Sequence, residues 1–162
     1  MAVLTGLFHV AIKTADLEKT VRFYKQVLGC REAPRPDLGF PGAWLAVPTP
    51  AGEAIFHIYG GAPALERDGG HAHGTGAIDH ISLTAVGFHD MLARIQAAGL
   101  PWREAIVPGV GLWQIFVMDP SGVQLEIIFD AAAEGGPEPD ETPGRRYAPG
   151  EDYFDKDAYA RL

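Results

Sequence analysis

The chain has a single cysteine, Cys30. No intrachain disulfide can form, as expected for a protein kept in a reducing compartment. No run of about 18 apolar residues occurs, and no basic segment leads into an apolar one near Met1. A cytoplasmic protein with no membrane partner is expected. Basic residues are also few: 13 Lys and Arg stand against 21 Asp and Glu, for a formal net charge of −8. A chain that grips phosphate backbones carries the opposite sign, so nucleic acid is an unsuitable partner. Part of the acidity is local. From Ala131 onward eight acidic and four basic residues contribute half of it.

Apolar residues are plentiful, at 47% of the 162 residues, enough to bury a core without staples. Leu7–Ile12 reads as a strand. Asp16 is placed to cap a helix, because its carboxylate can accept from the free N–H groups of the first turn. Leu17, Val21, Tyr24 and Leu28 recur at helical spacing, and Gly29 ends the run. Strand-like stretches follow near Cys30–Ala33, Trp44–Val47 and Ala54–Tyr59, separated by Gly/Pro turns. After a glycine-rich linker from Gly60 to Gly76 the pattern repeats. Ile78–Ala85 reads as a strand, and Phe88, Leu92 and Ile95 mark a helix closed by Gly99. Strands follow near Trp102–Val107, Leu112–Met118 and Val123–Phe129, the last two joined by an Asp119-Pro-Ser-Gly122 hairpin turn.

Three landmarks carry nearly the same offset. His9 to His80 is 71 residues, Gly29 to Gly99 is 70 and His57 to Glu126 is 69, the signature of an internal repeat. The expected fold is α+β: two tandem βαβββ modules, about 4–60 and 77–130, forming a curved mixed sheet around a metal-binding cleft. Each module alone has too few elements to close a core, so 1–130 is expected to be a single domain of paired modules. Residues 131–162 form an acidic tail carrying Tyr147, Tyr153, Phe154 and Tyr159. Those aromatics imply docking, on this subunit or on a neighbour, and suggest a homodimer with Tyr153 and Phe154 buried.

Strand alternation puts His9, His57, His80 and Glu126 on faces opposite the apolar ones, at equivalent points of the repeat. Any one strand histidine is ordinarily structural. Four metal-capable residues at matched positions point instead to a shared site. His71 and His73, in the linker, and His89, at a helix start, are expected at the surface. Trp44, Trp113 and Phe116 are candidates for lining a cleft or for plain core. The Pro108–Gly111 run is either a loop over the site or a hairpin turn.

The runs Leu7-Phe-His9-Val-Ala-Ile12, Ile78-Asp-His80-Ile-Ser-Leu83 and Phe116-Val-Met-Asp-Pro-Ser-Gly-Val-Gln-Leu-Glu126 resemble the vicinal oxygen chelate superfamily. That group includes glyoxalase I, extradiol dioxygenases, methylmalonyl-CoA epimerases, fosfomycin-resistance enzymes and bleomycin-binding proteins. The resemblance covers about residues 4–130 and implies His9, His80 and Glu126 as metal ligands. Two histidines and a carboxylate with open positions suit Fe(II), with Mn, Zn, Ni or Co as alternatives. The open positions would take vicinal oxygens of a small substrate.

His57 departs from the glyoxalase I pattern, which has Glu there, and from the epimerases, which more often have Gln. A histidine at a similar position in extradiol dioxygenases resembles an acid–base group; a fourth ligand is the other role open to it. Phe116 stands where the extradiol pattern has tyrosine, and Val107–Gly109 lacks that pattern's upstream histidine. The glutathione-contacting arginine of bacterial glyoxalase I falls near Lys13. The sequence therefore suggests a metal-dependent enzyme on a small oxygenated compound, aromatic ones included, with His57 and Glu126 as catalytic groups. A non-standard dioxygenase leads, ahead of a glyoxalase- or isomerase-type lyase or epimerase. The third reading is a non-catalytic small-molecule binding protein of the resistance type.

Overall fold

The structure is a computed structural model that describes residues 8–49 and 52–162. Leu7, the expected start of the first strand, lies outside the described residues. The chain divides into two compact units, Met1–Ala72 and His73–Leu162. Each carries one βαβββ module. The strands form two four-stranded mixed sheets, one per module, which is how the α+β repeat expected from the sequence is realised.

In the first unit β1 (His9–Lys13) leads to α1 (Leu17–Arg22), followed by β2 (Arg31–Ala33), β3 (Gly42–Thr49) and β4 (Gly52–Tyr59). The strand order is β1-β4-β3-β2, with β1 parallel to β4 and the remaining pairs antiparallel. Asp16 caps α1 as expected, its Oδ1 accepting from Lys19 N at 3.0 Å. The helix does not continue regularly to Leu28. From Phe23 to Val27 it widens into a π-turn before Gly29 stops it at φ +75°. The buried face therefore differs from the one the 3.6-residue spacing marks. Thr20, Phe23, Tyr24 and Val27 are buried, while Leu17, Val21 and Leu28 are only half-buried. The wide turn brings the consecutive Phe23 and Tyr24 both inward, and Thr20 finds a partner in the Thr14 hydroxyl at 2.8 Å. Tyr24 meets Phe56 at 5.2 Å between centroids, on the sheet face that also carries Leu45 and Ile58.

In the second unit β5 (Ile81–Thr84) is followed by α2 (Phe88–Ala97), β6 (Trp102–Val107), β7 (Leu112–Met118) and β8 (Gln124–Asp130). The order β5-β8-β7-β6 and the parallel β5–β8 pair repeat the first unit. The repeat holds in register. Ala11 and Trp44 flank His57 in the first sheet; Ser82 and Phe116 flank Glu126 in the second. Helix α2 buries Phe88, Met91 and Ile95, with Met91 taking the inward place expected of Leu92. Phe88 packs edge-on to Trp113 and Phe129, each at 5.3 Å, so Trp113 is core. In the β7–β8 turn Asp119 Oδ1 accepts from Ser121 N and Val123 N, and Gly122 supplies the positive φ of 79°.

The tail docks on its own unit. Arg145–Tyr147 runs beside β6, with Glu104 N donating to Arg145 O and Tyr147 N to Glu104 O, both at 2.8 Å. Tyr153 joins Phe116 and Met118 in an apolar cluster with Tyr147, Phe154 and Ala105 around it. Tyr159 is buried and donates to Met118 O at 2.5 Å. The burial of Tyr153 and the half-burial of Phe154 thus need no partner subunit. Glu134 closes α2 from outside the module. Its oxygens accept from Gly87 N at 2.9 Å and Phe88 N at 2.8 Å, where Gly87, at φ +84°, has no side chain to cap with. His89, expected at the surface, is half-buried with Nε2 covered, because Gly136 of the tail lies against its ring.

Candidate metal centre

Each unit presents its share of the sequence-predicted residues on one sheet face. In the first, Trp44, His57 and His9 form a three-ring stack across β3, β4 and β1. Trp44 and His57 lie 4.5 Å apart at 5°, and His57 and His9 lie 4.1 Å apart at 16°. Register explains the first contact, since Trp44 pairs directly with His57; His9 reaches His57 diagonally from the parallel strand. Burial, then the neighbouring His9, then Arg35 lower the His57 pKa, so the ring is neutral at pH 7. A neutral imidazole can ligate a cation or take a proton. Trp44 is thereby assigned to the wall of this face rather than to core. His9 is exposed.

In the second unit, β8 places Glu126 on the face away from α2. The residue is 6% exposed, and Gln114 Nε2 donates to its Oε1. His80 ends the segment just before β5. Its Nδ1 is 2.7 Å from Asp79 Oδ1, and its Nε2 is 3.4 Å from Glu126 Oε2. With Nδ1–H committed to Asp79, the Nε2 lone pair faces a carboxylate oxygen. Two electron-rich atoms so placed call for a proton or a cation between them. A histidine held through its other nitrogen by a carboxylate is the usual support of a metal-ligating imidazole. The donor set therefore fits a divalent cation. Within each unit, among the described residues, no three or more His, Cys, Asp and Glu side chains gather into a complete cage.

Several supporting residues went unnoticed in the sequence. Asp79 accepts at Oδ1 from Gln124 Nε2 and from the Tyr147 hydroxyl, each at 3.1 Å, besides its contact with His80. Its bonds to His80 and then to Tyr147 hold its pKa below the ordinary carboxylate value. The Asp-His pair of the second histidine run was the available signal for Asp79, and shared parity with Glu126 was the signal for Gln124. Nothing local pointed to Gln114 or Tyr147. Phe116 lies under this site, edge-on to His80 at 5.9 Å and face-to-face with Tyr147 at 3.6 Å. His71 is exposed in a bridge with Leu65, and His73 is exposed against Phe154, so neither belongs to the site. Pro108–Gly111 is the β6–β7 turn, Val110 N donating to Val107 O at 3.3 Å. No helix among the described residues is long and apolar enough to cross a membrane.

The same fold occurs in solved structures. A lactoylglutathione lyase from Agrobacterium tumefaciens superposes with a TM-score of 0.58 at 16% identity, covering 80% of this chain and 96% of that one. A genomically encoded fosfomycin resistance protein from Listeria monocytogenes gives 0.58 at 19%, covering 78% and 94%. At such identities the likeness is one of fold. Sequence relatives include Glyoxylase I 4 of Arabidopsis thaliana, 30% identical over 128 residues that span 76% of this chain and 70% of the relative. Lactoylglutathione lyase of Salmonella typhimurium is 29% identical over 127 residues, 75% of this chain and 90% of the relative. Residues 6–127, both modules with their histidine runs and Glu126, match a single family model, and the chain belongs to the glyoxalase/bleomycin resistance protein/dioxygenase superfamily.

Proposed function

We propose that the protein is a metal-dependent enzyme of the glyoxalase type, moving a proton at the carbon beside a carbonyl in a small substrate with vicinal oxygens. The observation that carries this is the Asp79–His80–Glu126 line, in which an oriented imidazole faces a buried carboxylate. The relatives named lactoylglutathione lyase support the same reaction class. The proposed ligands are His9, His80 and Glu126. When bound, the ion supplies Lewis acidity that polarises the substrate oxygens and acidifies the neighbouring C–H.

The chain's own residues do the rest. Asp79 keeps the His80 ring in one orientation and one tautomer. Gln114 fixes Glu126 by donating to Oε1, which leaves Oε2 for the ion. His57, neutral and held flat between Trp44 and His9, accepts the proton from the substrate carbon and returns it. A second reading, a dioxygenase in which His57 is the acid–base group, rests on that same neutral ring.

Three measurements decide between them. Metal analysis of purified protein should give one divalent ion per chain, and Glu126→Ala should lose it on dialysis. Solvent deuterium should enter the carbon beside the carbonyl in a panel of 2-oxo compounds and 2-hydroxyacyl thioesters. Oxygen uptake with catechols and hydroquinones, without such exchange, would move the assignment to the second reading. A metal-free wild-type protein, or Glu126→Ala with its full metal content, overturns the proposed centre and leaves a binding protein.

A further inference from the structure

We infer that Tyr147, which lies outside the residues matched to the family, is a positioning residue for His80, acting through Asp79. The inference rests on the ligand role proposed for His80. Asp79 is an exposed carboxylate, with 58% of its side chain accessible. Alone, such a group would divide its time between the imidazole and water. Here one oxygen, Oδ1, lies against three donors: His80 Nδ1 at 2.7 Å, Gln124 Nε2 at 3.1 Å and the Tyr147 hydroxyl at 3.1 Å. Gln124 also donates to the Tyr147 oxygen at 3.4 Å and to Asp79 O at 3.4 Å, which closes the network. The oxygen that meets the histidine is thus held by two further donors.

Tyr147 is well placed to do the pinning. Its backbone N–H is tied to Glu104 O beside β6, and its ring stacks on Phe116 at 3.6 Å and 6°. Both restraints fix the hydroxyl relative to Asp79. Phe116 is itself edge-on to the His80 ring, so one tyrosine braces the imidazole through packing and through a hydrogen bond. Phenylalanine would serve the packing equally well. Only the hydrogen bond to Asp79 uses the oxygen.

The test compares wild type, Tyr147→Phe and Asp79→Asn in the full chain. Long-range 1H–15N spectra of the metal-free protein read the His80 tautomer directly. Wild type should show the Nδ1–H form, Asp79→Asn a mixture, and Tyr147→Phe a measurable shift in the same direction. Thermal unfolding checks that Tyr147→Phe keeps its fold. Chelator-competition titration with Zn2+ should show weaker binding, by roughly 10-fold or more for Asp79→Asn and several-fold for Tyr147→Phe. A folded Tyr147→Phe with the wild-type tautomer signature and Zn2+ affinity overturns the inference. If wild type fails to bind Zn2+, Ni2+ or Fe2+, the proposed metal centre falls, while the tautomer spectra still decide whether Tyr147 positions His80.

Discussion

Replacing Glu104 by glutamine exchanges one oxygen for an amide and leaves the size of the side chain unchanged. The native carboxylate is 3% exposed. One oxygen accepts from Trp102 Nε1 at 2.8 Å and the other from Asp140 N at 2.8 Å. Both partners are N–H groups that can only donate. Glutamine offers one acceptor, so in either amide orientation an NH2 faces a donor. One charge-assisted bond to a buried side chain is lost and a part-buried N–H is left facing an NH2, at about 2–3 kcal/mol. For a chain of this size that lowers the melting temperature by roughly 4–12 °C. Denaturant unfolding followed by tryptophan fluorescence gives the free energy, and hydrogen exchange should show the Asp140 amide losing protection. Glu151→Gln is the control. It removes the charge from the ion pair that Glu151 makes with Arg103 at the surface and should leave the melting temperature close to that of wild type. Glu104→Gln within about 0.5 kcal/mol of wild type would refute the acceptor count, and with it the view that Glu104 anchors the tail.

Removing the distant cap by Glu134→Ala should destabilise the protein by about 1 kcal/mol in urea unfolding, against less than about 0.5 for the exposed Glu138→Ala. Burial pushes the Cys30 thiol up to about 11, so its reactive thiolate is scarce at neutral pH. Iodoacetamide labelling at pH 8, followed by intact mass, should run roughly a hundredfold slower than for an ordinary thiol and quicken about tenfold per pH unit until near the pKa. His57→Ala should keep its metal while turnover falls by about 10²-fold or more; loss of metal instead would make His57 a ligand.

The elements that the sequence announced are those specified within a few residues. Asp16 caps because the N–H it satisfies is three residues on, and Gly29 and Gly99 take the positive φ that stops each helix. The placement of His57 and Glu126 was legible because strand parity and the repeat offset reinforce each other. The π-turn was hidden, because a 3.6-residue count assumes the helix it is meant to detect. Tyr147, Glu134 and Glu104 were hidden for another reason. Their partners lie at Asp79, Gly87 and Asp140, and no local pattern marks a bond of that span. The tail's aromatics gave notice of docking, but only the packed structure shows the second unit as their host.

Those long bonds also bear on how the protein emerges during synthesis. The last strand of the first unit ends at Tyr59, so that unit can complete its sheet early. The second unit cannot. Its sheet is finished at Asp130, yet the face bearing Phe116 and Met118 stays open until Tyr153 and then Tyr159 leave the ribosome. During that interval a nascent chain displays an apolar face that the mature protein hides. It is there that chaperone dependence, and losses to aggregation at high expression, should concentrate.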